Sequence, residues 1–300
     1  MLKCTSPYHM TLRNVRQRTF WSYPKIFIEI EFGTCEKRFI GCRFLGCKQL
    51  REAPRSRPLR ARAMNPPEHS SVHNRLLALL SGNDYALLQP HLEFRDLPRN
   101  TILLDPNQAQ EYVYFIESGL ASQIANGDGK RKLEVGIYGR EGVGPTAAVL
   151  GVDRSPDLHI MQVGGSGHRL LAVKLGEAMA ESSSLRALLL RYVQVFMIQM
   201  GHTALSNNSL LIEQRLARWL AMCHDRLDGN ELPLTHEFLG IMIGVRRASV
   251  TEAIQILENK EIISARRGAI EVLDRAKLEA TAAESYGVPE AEYRRIIGPL

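Results

Sequence analysis

The sequence predicts an α+β protein: a jelly-roll-like β-roll, a long helix and a C-terminal winged helix-turn-helix. Three observations carry that reading. Between Thr101 and Lys174, short apolar runs alternate with a period of two and are bounded by Gly, Asn, Asp and Pro, the pattern of half-buried strands. From Ser184 to Asn208 a helix-length stretch is apolar on nearly every side. Between Leu234 and Leu273 two short helical patterns meet at Gly244, and a hairpin pattern follows.

The chain begins with a segment of different character. Residues 1–63 hold 14 Lys and Arg against Glu29, Glu31, Glu36 and Glu52, a net of +10. The other residues therefore carry −4 toward the total of +6. Four of the five cysteines, Cys4, Cys35, Cys42 and Cys47, fall in the same segment. Ile26-Phe27-Ile28-Glu29-Ile30-Glu31-Phe32 alternates with charge, so it is no secretory apolar core, and Ser is scarce for a transit peptide. The spacing Cys35-x6-Cys42-x4-Cys47 is too loose to favour an iron–sulfur cluster. Residues 1–63 read as a basic, poorly ordered extension, with Met64-Asn65-Pro66-Pro67 the expected natural start. The body holds only Cys223, so no disulfide framework is expected, and no run of 18 apolar residues offers a membrane span. A cytoplasmic protein is the expectation.

Residues 64–183 are expected to form the roll. Leu76 to Leu88 suggest short leading helices. Strands are expected at Thr101–Leu104, Tyr112–Ile116, Ala121–Ile124, Lys132–Ile137, Leu158–Val163 and Arg169–Val173. Asn126-Gly127-Asp128-Gly129 predicts a hairpin, because those residues tolerate positive φ, and Gly164-Gly165-Ser166-Gly167 reads as a turn. The helix over residues 184–208 must be covered on all faces: one by the roll, another by a second subunit. In residues 209–276, Ile212, Leu216, Trp219, Leu220, Cys223 and Leu227 give one helix a single apolar side. Residues 277–300 read as a helical tail.

The winged segment carries the sharpest signal. Thr235 is placed to N-cap a first helix bearing Phe238, Leu239 and Ile243. A second begins near Arg246, with Val250, Ala253, Ile254 and Leu257 on its buried side. Ala248, Ser249, Thr251, Glu252, Gln255 and Asn259 then face outward. A major groove admits one such helix, and Arg266-Arg267 at the tip of a following hairpin would meet phosphates. Charge gives no support: residues 234–273 hold five Lys or Arg against five Asp or Glu. A ligand-sensing or protein-interaction module whose helix-turn-helix no longer binds DNA is the alternative. His159, His168 and His202 are spaced too widely for a metal motif, His236-Glu237 lacks the second histidine of a zincin, and no nucleophile–base pair is readable. No metal and no enzymatic activity are expected.

In this order of parts the chain resembles the Crp/Fnr family of bacterial transcription regulators. The resemblance rests on Val113-Tyr114-Phe115-Ile116-Glu117-Ser118-Gly119, Gly139-Arg140-Glu141-Gly142 and Leu234–Asn259, including Gly244-Val245-Arg246-Arg247-Ala248-Ser249-Val250, and spans about residues 75–275. It implies a homodimer through residues 184–208, a palindromic operator in double-stranded DNA, RNA polymerase as a partner, and an unidentified signal read by the roll. By the same resemblance Arg247, Ala248, Ser249, Glu252 and Gln255 would face bases, and Thr235, Arg246, Arg266 and Arg267 would hold phosphates. Ala248 and Glu252 depart from the family's better-known members, so a different operator is expected. Gly139, Glu141, Gly142, Arg154 and Ser155 would form the effector pocket. Pro156 and Asp157 follow the pair Arg154-Ser155 and would disturb an anion site, so cyclic AMP is not expected to bind.

Overall fold

The computed structural model describes residues 66–127 and 132–299, which lie in one compact unit. The expectations for residues 1–63, and for Asp128 and Gly129, lie outside the described residues. Helices α1 (Arg75–Ala78) and α2 (Gly82–Leu88) lead into the sheet. Their N-caps are Asn74 and Ser81, whose side chains accept from the Leu77 and Asp84 amides.

The roll is built on β1 (Glu93–Leu97), β2 (Ile102–Leu104), β3 (Tyr112–Asn126), β4 (Lys132–Tyr138), β5 (Val143–Gly144) and β6 (Leu158–Leu171). All pair antiparallel, in the order β1-β6-β3-β4, with β2 on β6 and β5 on β3. Sequence reading divides both long strands, and the structure does not. β3 runs through Gly119, which takes φ +87° where the register with β6 shifts. Gly164-Gly165-Ser166-Gly167 is not a turn but the middle of β6. A Cβ at Gly165 would lie 2.0 Å from the Ser118 carbonyl oxygen, so the glycine run allows two backbones to approach rather than one to reverse. Val173, expected in a strand, belongs to helix α3 (Ala172–Glu181).

Helix α4 (Ser183–Ser209) crosses the roll and buries Leu185, Leu189, Tyr192, Val193, Val195 and Phe196 against it. After α4 come α5 (Ile212–His224), β7 (Glu231–Leu232), α6 (His236–Met242), α7 (Arg247–Asn259), β8 (Ile263–Arg266) and β9 (Ala269–Val272). The strand β7, unread in the sequence, pairs with β9 and gives the wing a third strand. Every residue of the expected buried face of α7 is buried, alongside Leu216, Leu220, Leu239 and Ile270. Each Leu, Ile or Val so buried contributes about 1.5–3 kcal/mol. Helices α8 (Arg275–Ala282) and α9 (Val288–Ile296) then return the chain: α8 packs on α5 and α9 on α4.

Candidate nucleic-acid interface

Gly244 takes φ +67°, a conformation that lets α6 and α7 meet at a sharp angle without strain. The turn leaves Arg246, Arg247, Ala248, Glu252 and Gln255 exposed, and Ser249 half-buried. Between α6, α7 and the wing lies an open groove of about 560 Å³. Thr235, Arg247, Gln255, Arg266 and Arg267 line it, so five of the nine expected contact residues converge on one concave surface. Among its other lining residues are His236, Glu237, Thr251 and Glu258, of which the sequence places only Thr251 on the outward face. The Glu258 carboxylate accepts the Ala265 amide at 2.7 Å and ties α7 to the wing, a tertiary bond with no local sequence signal. Arg266 pairs with the exposed Glu231 at 2.5 Å. Arg246, Arg247 and Arg267 carry no salt bridge among the described residues.

Thr235 departs from expectation. It holds the N-cap position of α6 with extended backbone, but its side chain makes no capping bond. Its hydroxyl accepts instead from Arg99 Nη2 at 3.3 Å, a residue of the roll.

That contact belongs to a wider junction. Glu134 on β4 accepts from Ser122 Oγ of the roll and from Trp219 Nε1 of α5. Burial pushes its carboxyl up to about 8, against the lowering effect of those bonds and of Arg218 and Arg226. The Met242 sulfur receives the Gln162 amide at 3.6 Å. Cys223, on the buried face of α5, has its thiol pushed well above the ordinary range by burial, which keeps it from forming a thiolate.

The expected effector residues are dispersed or already engaged. Glu141 is buried, accepting from Arg226 Nε at 2.7 Å and from its neighbour Gly139 N at 3.0 Å. A Cβ on Gly142 would lie 2.1 Å from the Tyr192 hydroxyl, so that ring fills the space over the loop. α9 closes the same region, with Tyr293 donating to the Glu141 carbonyl at 2.8 Å. The cavity left there, about 10 Å³, is the size of one water. Arg154 stands outside it, 63% exposed and paired with Asp153, while Ser155 Oγ accepts the Asp157 amide. The structure therefore brings Gly139, Glu141 and Gly142 together but leaves Arg154 and Ser155 apart from the cavity. Nothing in the local sequence reveals the Glu141–Arg226 pair, whose members lie 85 residues apart.

Residues 214–281 match the Crp-like helix-turn-helix domain. Among curated proteins none matches the chain. Three solved structures illustrate the likeness of fold. FixK2 from Bradyrhizobium japonicum is 15% identical with a TM-score of 0.54, over 64% of this chain and 98% of its own. The CLP regulator of Xanthomonas campestris, a c-di-GMP-responsive global regulator, is 19% identical with a TM-score of 0.51, over 64% and 99%. A CRP-family transcriptional regulator from Thermus thermophilus is 17% identical with a TM-score of 0.52, over 63% and 97%.

Proposed function

We propose that this chain, which carries a Crp-like helix-turn-helix domain on a fold shared with Crp/Fnr transcription regulators, is itself a DNA-binding transcription regulator. The observation that carries the reading is the groove between α7 and the wing, with Arg247 and Gln255 on one wall and Arg266 and Arg267 on another. The first turn of α7 enters a major groove, where Arg247 donates two bonds to guanine O6 and N7. Ala248 meets a thymine methyl, Glu252 accepts from cytosine N4, and Ser249 and Gln255 complete the base-facing row. Thr235, Arg246, Arg266 and Arg267 hold phosphates and fix the register.

A homodimer through residues 184–208 fits the surface of α4. Leu190, Met197 and Leu205 are 43%, 59% and 57% exposed, and with Gln194 and Gly201 they follow a three-and-four spacing along one side. That spacing makes a seam for a parallel partner helix. Two recognition helices related by its two-fold axis would read a palindrome with half-sites about 34 Å apart. The regulator would act in the cytoplasm beside RNA polymerase, without enzymatic activity of its own. A signal other than cyclic AMP is supported by the engagement of Glu141, the carboxylate that would meet a ribose, with Arg226.

Selection of duplexes from a random library by the full chain tests the reading. Paired half-sites at that spacing are expected. Arg247→Ala should then lose about 1–3 kcal/mol of discrimination at one guanine in each half-site. Unchanged selectivity would remove α7 as the recognition helix.

A further inference from the structure

The loop between β1 and β2 sends one cation to the edge of the groove. Its backbone is held on several sides. The Asn100 amide donates to the Met161 carbonyl at 2.9 Å, and the Thr101 amide to the Pro98 carbonyl at 3.0 Å. A Cβ on Gly164 would lie 2.9 Å from the Arg99 nitrogen, so β6 presses on the loop from below. From this support the Arg99 guanidinium stacks 4.3 Å above the Phe238 ring, and its Nη2 donates to Thr235 Oγ1.

What the guanidinium lacks is an anion. Its Nε is buried without any hydrogen-bond partner, and no carboxylate lies within ion-pair distance among the described residues. Arg140, which also reaches out from the roll, is matched by Asp228 at 2.6 Å. Arg99 therefore keeps an unneutralised charge beside Thr235, which lines the groove. A planar fork fixed by stacking suits a phosphate, because little side-chain freedom remains to be lost on binding.

We infer that Arg99 is a phosphate ligand for duplex DNA, supplied by the roll to the groove of the helix-turn-helix and shared at one phosphate with Thr235. The inference rests on the DNA-binding reading above. It also adds a cation to a segment whose own charges cancel, since residues 234–273 hold equal numbers of basic and acidic groups. Full affinity then requires the roll and the helix-turn-helix to be docked as they are here. A signal that shifts one against the other would alter phosphate binding without touching α7.

The test uses the full chain and a duplex selected by the wild-type protein, with affinity measured over a range of salt. Each phosphate contact contributes about 0.9 to the slope of log affinity against log salt. Arg99→Gln should bind more weakly and show a slope smaller by about that amount, so from 50 to 200 mM salt it loses about threefold less affinity than wild type. Arg99→Lys, which keeps the charge, should retain the wild-type slope. Thermal melting of both variants identifies a change that merely unfolds the loop. Equal slopes for Arg99→Gln and wild type would overturn the inference and leave the DNA-binding reading standing. Tighter binding by Arg99→Gln would also overturn it, making Arg99 a clamp that competes with DNA. Failure of the wild-type chain to select any duplex would overturn both.

Discussion

In the winged segment Arg246, Arg247 and Arg267 stand exposed and without an ion-pair partner among the described residues, whereas Arg226, only twenty residues before Arg246, is buried and spent on Glu141 of the roll. The same side chain thus serves two ends, decided by what surrounds it. An exposed guanidinium keeps its donors for a partner that arrives. A buried one must be satisfied within the chain, because an unpaired charge in a low-dielectric interior is costly. The groove proposed to read DNA is open, and the surface expected to sense a small molecule is occupied by the protein's own groups.

Three measurements break or sharpen that contrast. The largest effect is expected at the closed end. Arg226→Ala strands the Glu141 carboxylate in the interior and should cost about 3–5 kcal/mol of stability in denaturant unfolding. A loss below about 1 kcal/mol, the range of exposed pairs, would mean that water reaches the pair. Next comes Glu134. Its folded pKa, raised by burial from 4.5 to about 8, makes the folded state hold a proton that the unfolded state releases. The stability tied to that proton is complete below about pH 4.5 and is lost as pH rises to about 8. Where the slope is steepest it amounts to about 1.4 kcal/mol per pH unit. Glu134→Gln should flatten the fall, so the stabilities of variant and wild type diverge as pH rises from about 4.5 to about 8 and run parallel above that. Stabilities parallel throughout that range would put the titrating group elsewhere. The smallest effect is no effect: titration of cyclic AMP into the full chain should release no binding heat. Micromolar binding would show that Tyr192 and Arg226 yield their places readily.

How much of this is legible in the sequence depends on how far apart the cooperating residues lie. The apolar stripes of α5 and α7 repeat within a few turns, and Gly244 and Gly268 mark their turns directly, so the winged segment is readable almost residue by residue. β3 and β6 read as pairs of shorter strands, because Gly119 and the glycine run at 164–167 look like breaks in one dimension. Only the second strand shows that they permit close pairing. The short strands β5 and β7 carry too few residues for any period. Thr235 stands at the start of α6 as its sequence position suggests, but its hydroxyl goes to a partner 136 residues away. For the loop expected to hold an effector, sequence picks out residues but not their occupants, since Tyr192 reaches it from α4, Tyr293 from α9 and Arg226 from the turn after α5.

The turn at Gly244 has a second neighbour besides the helices it joins. A Cβ there would lie 2.9 Å from Leu133 Cδ1 on β4, so the turn before α7 rests against the roll. Gly244 is thus a bearing surface as well as a bend. Gly244, Val245 and Arg246 alone separate that contact from the first residue of α7. A larger residue at position 244 would strain the turn through its positive φ, whereas the end of the Leu133 side chain that it meets is free to rotate aside.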